Sequence, residues 1–124
     1  MIAPAMGKNL NNISLEYLVF MDERDNLLVD FDISFKEVRL LRYILFSYMQ
    51  DRVSTVNDIL PLSYLGSPST NHTLLKKLVK KKFVLSVQST NDQRVKNLVP
   101  SDKAFQLFEQ ISTLFRTHRE ELQT

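Results

Sequence analysis

The sequence predicts a mainly α-helical domain of the α+β class, in which helices lie before and after a single β-hairpin. Apolar residues recur at helical spacing after the pair Ser34 and Glu37, which has the spacing of a capping box. Ser67 followed by Pro68 is a second helix-start signal. The alternating stretches FVLSVQ and VKNLV flank the turn-forming residues STNDQR, as expected of a hairpin.

The first half of the chain predicts three helices. The stretch RDNLLVDFD, after the first helix, is expected to be irregular or extended. The helix at 35–49 is expected to be mostly core. Thr55 is expected to cap a shorter helix with Asp58 in its first turn, and Pro61 to kink or split it, because proline has no N–H to donate. The first helix is predicted at about 9–22, with apolar positions Leu10, Ile13, Tyr17, Leu18 and Met21.

The second half predicts a helix from Pro68 to about residue 81, then the hairpin, whose second strand ends at Pro100. Ser101 is expected to cap a last helix that has Asp102 in its first turn and reaches about Leu122. Two helices joined by a turn and followed by a hairpin make a winged helix-turn-helix, here with a two-stranded wing. A chain of 124 residues fits one such domain, with a core at about 34–100 and terminal helices at about 9–22 and 101–123.

Positive charge is concentrated in the second half. Residues 68–100 contain seven basic residues and one acidic residue, Asp92, which is a net +6. Because the whole chain carries +2, the remainder carries −4. This segment covers the helix that would meet DNA and the wing, so the asymmetry predicts a localised polyanion site. The basic residues are Lys76, Lys77, Lys80, Lys81, Lys82, Arg94 and Lys96.

Composition excludes several classes of site. The chain has no cysteine, which rules out disulfides, thiolate zinc sites and cysteine nucleophiles and suits a cytoplasmic location. The longest apolar run contains two arginines and is shorter than the ~20 residues of a membrane span, so no membrane association is predicted. The start of the chain lacks the order of charges and apolar residues that a signal peptide has.

No enzyme, cofactor or metal site is predicted. The two glycines leave no phosphate-binding loop, and no nucleophile or paired-carboxylate motif is present. His72 and His118 lack the spacing of metal ligands. The carboxylates between Asp22 and Asp32 are expected in a solvated loop, with metal chelation as the alternative.

Several positions between about residue 55 and 104 form a recognisable pattern: Ser67, Leu75, Leu78, Lys80, Lys81, Phe83-Val84 and the wing motif Asp92-Gln93-Arg94. In these positions the chain resembles the DNA-binding core of MarR-type transcriptional regulators. It departs from the family pattern at Lys82, where a glycine is usual, so this helix end is expected to be capped differently. Asn71 stands where an apolar residue is common, and Pro61 with the long connection after it suggests a divergent branch.

The helix that begins at Pro68 would turn its leucines inward and its polar residues toward DNA. Short hydroxyls and an imidazole near its start can read base edges, and lysines further along meet phosphates. At the wing, Arg94 would enter the minor groove, Asp92 would hold that arginine, and Lys96 would contact the backbone. The outward-facing candidates on the helix are Ser69, Thr70, His72, Thr73, Lys76 and Lys77.

These residues also have ordinary interpretations. The lysines can be a solvated helix face, Ser67 simply a cap, and Asp92 with Arg94 a turn ion pair of little energetic value.

The function predicted from these features is sequence-specific binding of double-stranded DNA by a homodimeric transcriptional regulator. The resemblance implies that the terminal helices pair two subunits, and it implies a small-molecule effector that no residue here identifies. One alternative is a winged-helix adaptor that binds a protein partner, because the fold serves both uses. Another is an accessory DNA-binding protein of plasmid or phage replication.

Overall fold

The computed structural model describes residues 12–123, with side chains as far as residue 120, and confirms the mainly helical winged helix-turn-helix. Leu10, an apolar position of the predicted first helix, and the side chain of Leu122, at the predicted end of the last helix, lie outside this description. The elements in chain order are α1 (Leu15–Asp30), α2 (Phe35–Met49), β1 (Ser54–Thr55), α3 (Val56–Ile59), α4 (Pro68–Lys80), β2 (Val84–Gln88), β3 (Lys96–Pro100) and α5 (Asp102–Gln123).

The starts of α2, α4 and α5 agree with the sequence signals. In each case a serine side chain accepts a hydrogen bond from the backbone N–H three residues later, which satisfies a donor that the helix leaves free. At α2 the capping box is complete, because the Glu37 carboxylate also accepts from the N–H of Ser34 at 3.2 Å.

The first helix differs from the prediction. It begins after Ser14, whose hydroxyl accepts from the Tyr17 N–H, and it continues to Asp30. The stretch predicted to be irregular is therefore mostly helical, and the carboxylates expected in a loop lie on or directly after a helix. The charged residues that suggested a loop lie on a helix here, which packs along α5. Two of them form an ion pair, because the Arg24 guanidinium lies 3.0 Å from the Asp25 carboxylate.

The sheet has three strands rather than the predicted two. The two-residue strand β1 pairs with β3, so the order is β1-β3-β2 with all neighbours antiparallel. Leu98, at the centre of β3, faces Ser54 on one side and Ser86 on the other. A strand of two residues has no alternation to detect, which is why the sequence did not indicate it.

Asn71, which occupies an apolar position of the family pattern, is fully buried and connects α4 to the end of α3. Its side-chain amide lies 3.0–3.3 Å from the backbone carbonyls of Ile59, Leu60 and Leu62. Because α3 ends at Ile59, two residues before Pro61, the chain continues in turns, where the carbonyls of Ile59 and Leu62 also accept from the N–H groups of Leu62 and Leu65. Asn71 therefore adds side-chain hydrogen bonds to the backbone that follows α3.

Helices α1, α2 and α4 end in the same way, each with a non-glycine residue in the left-handed conformation. Lys82 has φ of 66°, its N–H bonds to the carbonyl of Val79, and the N–H of Phe83 bonds to that of Leu78. This is the hydrogen-bond pattern of a Schellman motif. The expectation of a different cap at Lys82 was wrong: lysine adopts the conformation that glycine adopts more cheaply. Asp32 and Asp51 do the same after α1 and α2.

The hydrophobic core lies between α2, α4 and the sheet, with contributions from α1, α3 and α5. The predicted inward leucines of α4 are confirmed as part of it. Its most completely buried large side chains are Leu28, Leu40, Leu41, Ile44, Ile59, Leu78, Phe83, Leu98 and Leu107.

Lys82→Gly is expected to stabilise the protein by about 1 kcal/mol, because glycine avoids the clash that a Cβ causes at positive φ. Urea denaturation would show this as a higher midpoint with an unchanged slope. Lys82→Ala is the matched control, since it removes the same charge but keeps the Cβ. Equal midpoints for the two variants would contradict the explanation.

Candidate nucleic-acid interface

The outward face of α4 carries the side chains expected from the sequence. Thr70 is half-buried, and its hydroxyl lies 3.0 Å from that of Ser67 within the helix cap. Thr73 donates its hydroxyl hydrogen to the carbonyl of Ser69 at 3.1 Å, which leaves its oxygen free to accept. The exposed members of the predicted set are Ser69, His72, Thr73, Lys76 and Lys77.

A groove of about 420 Å³ separates α4 from the sheet and brings part of the predicted set together. His72 and Lys76 line it from the helix, and Lys96 lines it from β3. Lys80 and Ser86 also line the groove, although the sequence interpretation did not select them. The sequence could have predicted Lys80 as part of this face, because it stands four residues after Lys76 and therefore on the same side of the helix.

At the wing tip, Arg94 is exposed and pairs with Asp92. Its side chain is 91% exposed, and its Nε and Nη2 lie 3.2 Å and 3.4 Å from the two oxygens of Asp92. Hydrogen bonds from the backbone N–H and the guanidinium of Arg94 hold the pKa of Asp92 below its usual value. Asp92 thus orients the arginine, while the outer edge of the guanidinium stays open to solvent.

Lys81 has a structural position, although the sequence counts it in the basic cluster. Its ammonium group donates to the backbone carbonyl of Asp32 at 2.7 Å and lies 3.0 Å from a carboxylate oxygen of Glu37, which is buried. Lys103, from α5, donates to the carbonyl of Lys81 at 3.0 Å and lies over the ring of Phe83. The end of α4 is therefore bonded to the corner between α1 and α2 and to α5.

The pKa of Glu37 reflects two opposing effects. Burial raises it, but hydrogen bonds from Ser34 and Lys81 and the positive charge of Lys81 lower it by more. The net pKa lies below its usual value, so the carboxylate is charged and paired at neutral pH.

Two features are absent from the described part of the chain. Within residues 12–123, none of the helices combines the length and apolar character needed to cross a bilayer. The same residues contain no cluster of three or more histidine, cysteine or acidic residues that could bind a metal ion.

Comparison with known proteins gives matches at the level of structure. No protein-family model matches the chain, and no curated protein has a significantly similar sequence.

Solved structures of transcriptional regulators have the same fold. MepR of Staphylococcus aureus in complex with DNA is 27% identical, with a TM-score of 0.71 over 87% of this chain and 80% of MepR. MepR bound to ethidium bromide is 26% identical, with a TM-score of 0.67 over 90% and 82%. The transcriptional regulator Tm0710 of Thermotoga maritima, at 22% identity, shares the fold with a TM-score of 0.67 over 87% and 74%. MepR is a MarR-family regulator, so the resemblance to that family is confirmed.

Glu37→Gln is expected to reduce the loss of stability in acid. A carboxyl group with a lowered folded-state pKa stabilises the protein above its unfolded pKa, and this contribution disappears as the pH falls through the folded pKa. The free energy of unfolding of the parent should therefore fall more steeply than that of the variant between roughly pH 5 and pH 3. Parallel curves would mean that the pair with Lys81 adds no pH-dependent stability.

Proposed function

We propose that this chain, whose fold is that of the MarR-type regulators, is a dimeric, sequence-specific double-stranded DNA-binding protein that regulates transcription. The observation that carries the proposal is the groove in which His72 and Lys76 of α4 face Lys96 of the wing. A helix and a neighbouring hairpin with exposed basic side chains can follow the major groove and the adjacent backbone together.

Residues near the start of α4 are proposed to read base edges. Ser69 and His72 are exposed and can donate or accept hydrogen bonds, while Thr73 offers its oxygen and its methyl group. Thr70 is proposed to contribute less than its neighbours, because its hydroxyl is engaged with the helix cap.

Basic residues are proposed to supply the affinity. Lys76, Lys77 and Lys96 would contact phosphates, and Lys80 joins them because it lines the same groove. Arg94 would enter the minor groove, oriented by its ion pair with Asp92. The MepR structure in complex with DNA supports DNA binding by this fold.

Dimer formation is proposed from apolar surface at the ends of α1 and α5. Leu15 is 69% exposed, Leu18 50% and Phe115 54%, an unusual amount of apolar surface for two adjacent helices to leave in water. A groove of about 290 Å³ runs between Tyr17 and Phe20 of α1 and Phe115 of α5, on the side of α1 away from Leu15 and Leu18. A second copy that contacts both sides of this helix end would cover the apolar surface and place two α4 helices on successive major grooves.

DNA binding requires no chemical step, so the proposal assigns no catalytic residue and no cofactor. It places the protein in the cytoplasm, the location expected from its cysteine-free composition.

Selection from a randomised duplex pool should enrich a palindrome, and affinity for it should fall steeply with salt as phosphate contacts release counterions.

Lys76→Ala should weaken binding to all DNA sequences similarly and reduce the slope of affinity against salt by roughly one. Arg94→Ala should weaken A·T-rich flanks most, because narrow minor grooves attract arginine. Lys36→Ala, which changes the same charge at an exposed position of α2, is the control. Weak, sequence-independent binding by the parent would instead favour the protein-adaptor function.

Leu15→Glu combined with Leu18→Glu should convert a dimer into monomers, because it places charges in the proposed apolar interface. Sedimentation equilibrium of parent and variant would measure this, with circular dichroism to confirm folding. Val29→Glu, near the other end of α1 and 76% exposed, is the control and should stay dimeric. A parent that sediments as a monomer at all concentrations would contradict the dimer.

A further inference from the structure

Helix α2 has an exposed row of apolar and basic side chains that the DNA-binding proposal does not use. The row, called here the α2 stripe, consists of Phe35, Arg39, Arg42, Phe46 and Met49. All five are exposed, including Phe35 and Phe46 at 61% each and Met49 at 73%. Their alternating spacing of four and three residues keeps them on one side of a helix, as in the contact seam of a coiled coil.

The α2 stripe points away from the proposed DNA-binding face. Helix α2 buries Leu40, Leu41 and Ile44 against the core it shares with α4 and the sheet. The exposed row occupies the opposite side of the same helix. A duplex bound along the outer face of α4 would therefore leave the α2 stripe free.

Neither arginine of the α2 stripe is neutralised, and one of them is positioned by an aromatic ring. Arg39 lies over the ring of Tyr64, with its guanidinium carbon 4.9 Å from the ring centre. Within the described side chains, neither Arg39 nor Arg42 makes an ion pair. Both line a groove of about 340 Å³ with Tyr43, Phe46 and Tyr64, and no carboxylate lines it. A stacked guanidinium keeps its N–H edge available for a carboxylate.

We propose that the α2 stripe is a docking surface for an acidic amphipathic helix of a partner protein. The stripe runs for about 21 Å along α2, at the helical rise of about 1.5 Å per residue, and so suits a partner helix lying beside it. Apolar residues of that helix would cover Phe35, Phe46 and Met49. Its glutamates or aspartates would pair with Arg39 and Arg42.

A second copy of this chain fits the surface less well. A symmetric pairing of two α2 stripes would bring arginines toward arginines, which is unfavourable. The acidic helix α1 of another copy is already packed along α5 of its own chain, and its exposed residues Leu15 and Leu18 belong to the proposed dimer interface. Charge complementarity therefore favours an acidic helix from a different protein.

The test uses a synthetic three-heptad peptide, labelled with a fluorophore, that has leucine at positions a and d and glutamate at e and g. Its counterpart carries lysine instead of glutamate. Fluorescence anisotropy with the full chain should show the acidic peptide binding at least about tenfold more tightly than its counterpart. Arg39→Glu with Arg42→Glu should weaken this binding by at least about tenfold, and Phe46→Ala should weaken it without any change of charge.

The matched control is Lys76→Glu with Lys96→Glu, which changes the charge by the same amount on the DNA-binding face. It should lose duplex binding and keep the peptide, whereas the arginine variant should keep duplex binding and lose the peptide. The proposal fails if the acidic peptide does not saturate near ~1 mM chain, or if the control loses it equally. It also fails if the arginine variant loses duplex binding, because the stripe would then be a DNA contact. If the arginine variant no longer self-associates, the occupant is a second copy and the proposal fails as well.

Discussion

The ammonium group of Lys81 ties the end of α4 to the corner between α1 and α2. It lies between a backbone carbonyl at the end of α1 and the buried carboxylate of Glu37, which also completes the cap of α2. A buried carboxylate is costly unless it is paired, so Glu37 and Lys81 each depend on the other. The direction of α4, and with it the face offered to DNA, is consequently fixed by two side chains that need not touch DNA.

The other end of this helical unit depends on Asn71. Its amide bonds to backbone carbonyls at the end of α3 and in the connection after it, so both are attached to the first turns of α4. Both ends of α4 are thus held by polar side chains, the buried Asn71 at one end and the pair of Lys81 with the buried Glu37 at the other. Such bonds are directional, and they specify an orientation that apolar packing alone would leave less defined.

The sequence predicted those parts of the fold whose signals are local. Capping serines before α2, α4 and α5 lie within three residues of the groups they satisfy, and the hairpin alternates over short stretches. The extent of α1 and the existence of β1 depend on partners far along the chain, α5 and β3, so no local pattern indicated them.

At the site, the α4 side chains predicted to face outward are exposed except for Thr70. The structural role of Lys81, in contrast, depends on Glu37, which lies 44 residues away. The sequence alone does not distinguish a structural lysine from its neighbours in a run, because the distinction depends on such a distant partner.

The place of β3 at the centre of the sheet has an evolutionary consequence for the wing. Hydrogen bonds to β1 and β2 hold β3 from both sides, and Leu98 anchors it in the core. The loop between β2 and β3 can therefore gain or lose residues while the strand register on the core side is kept. Relatives of this protein can vary the length and charge of the wing tip without rebuilding the domain that carries it.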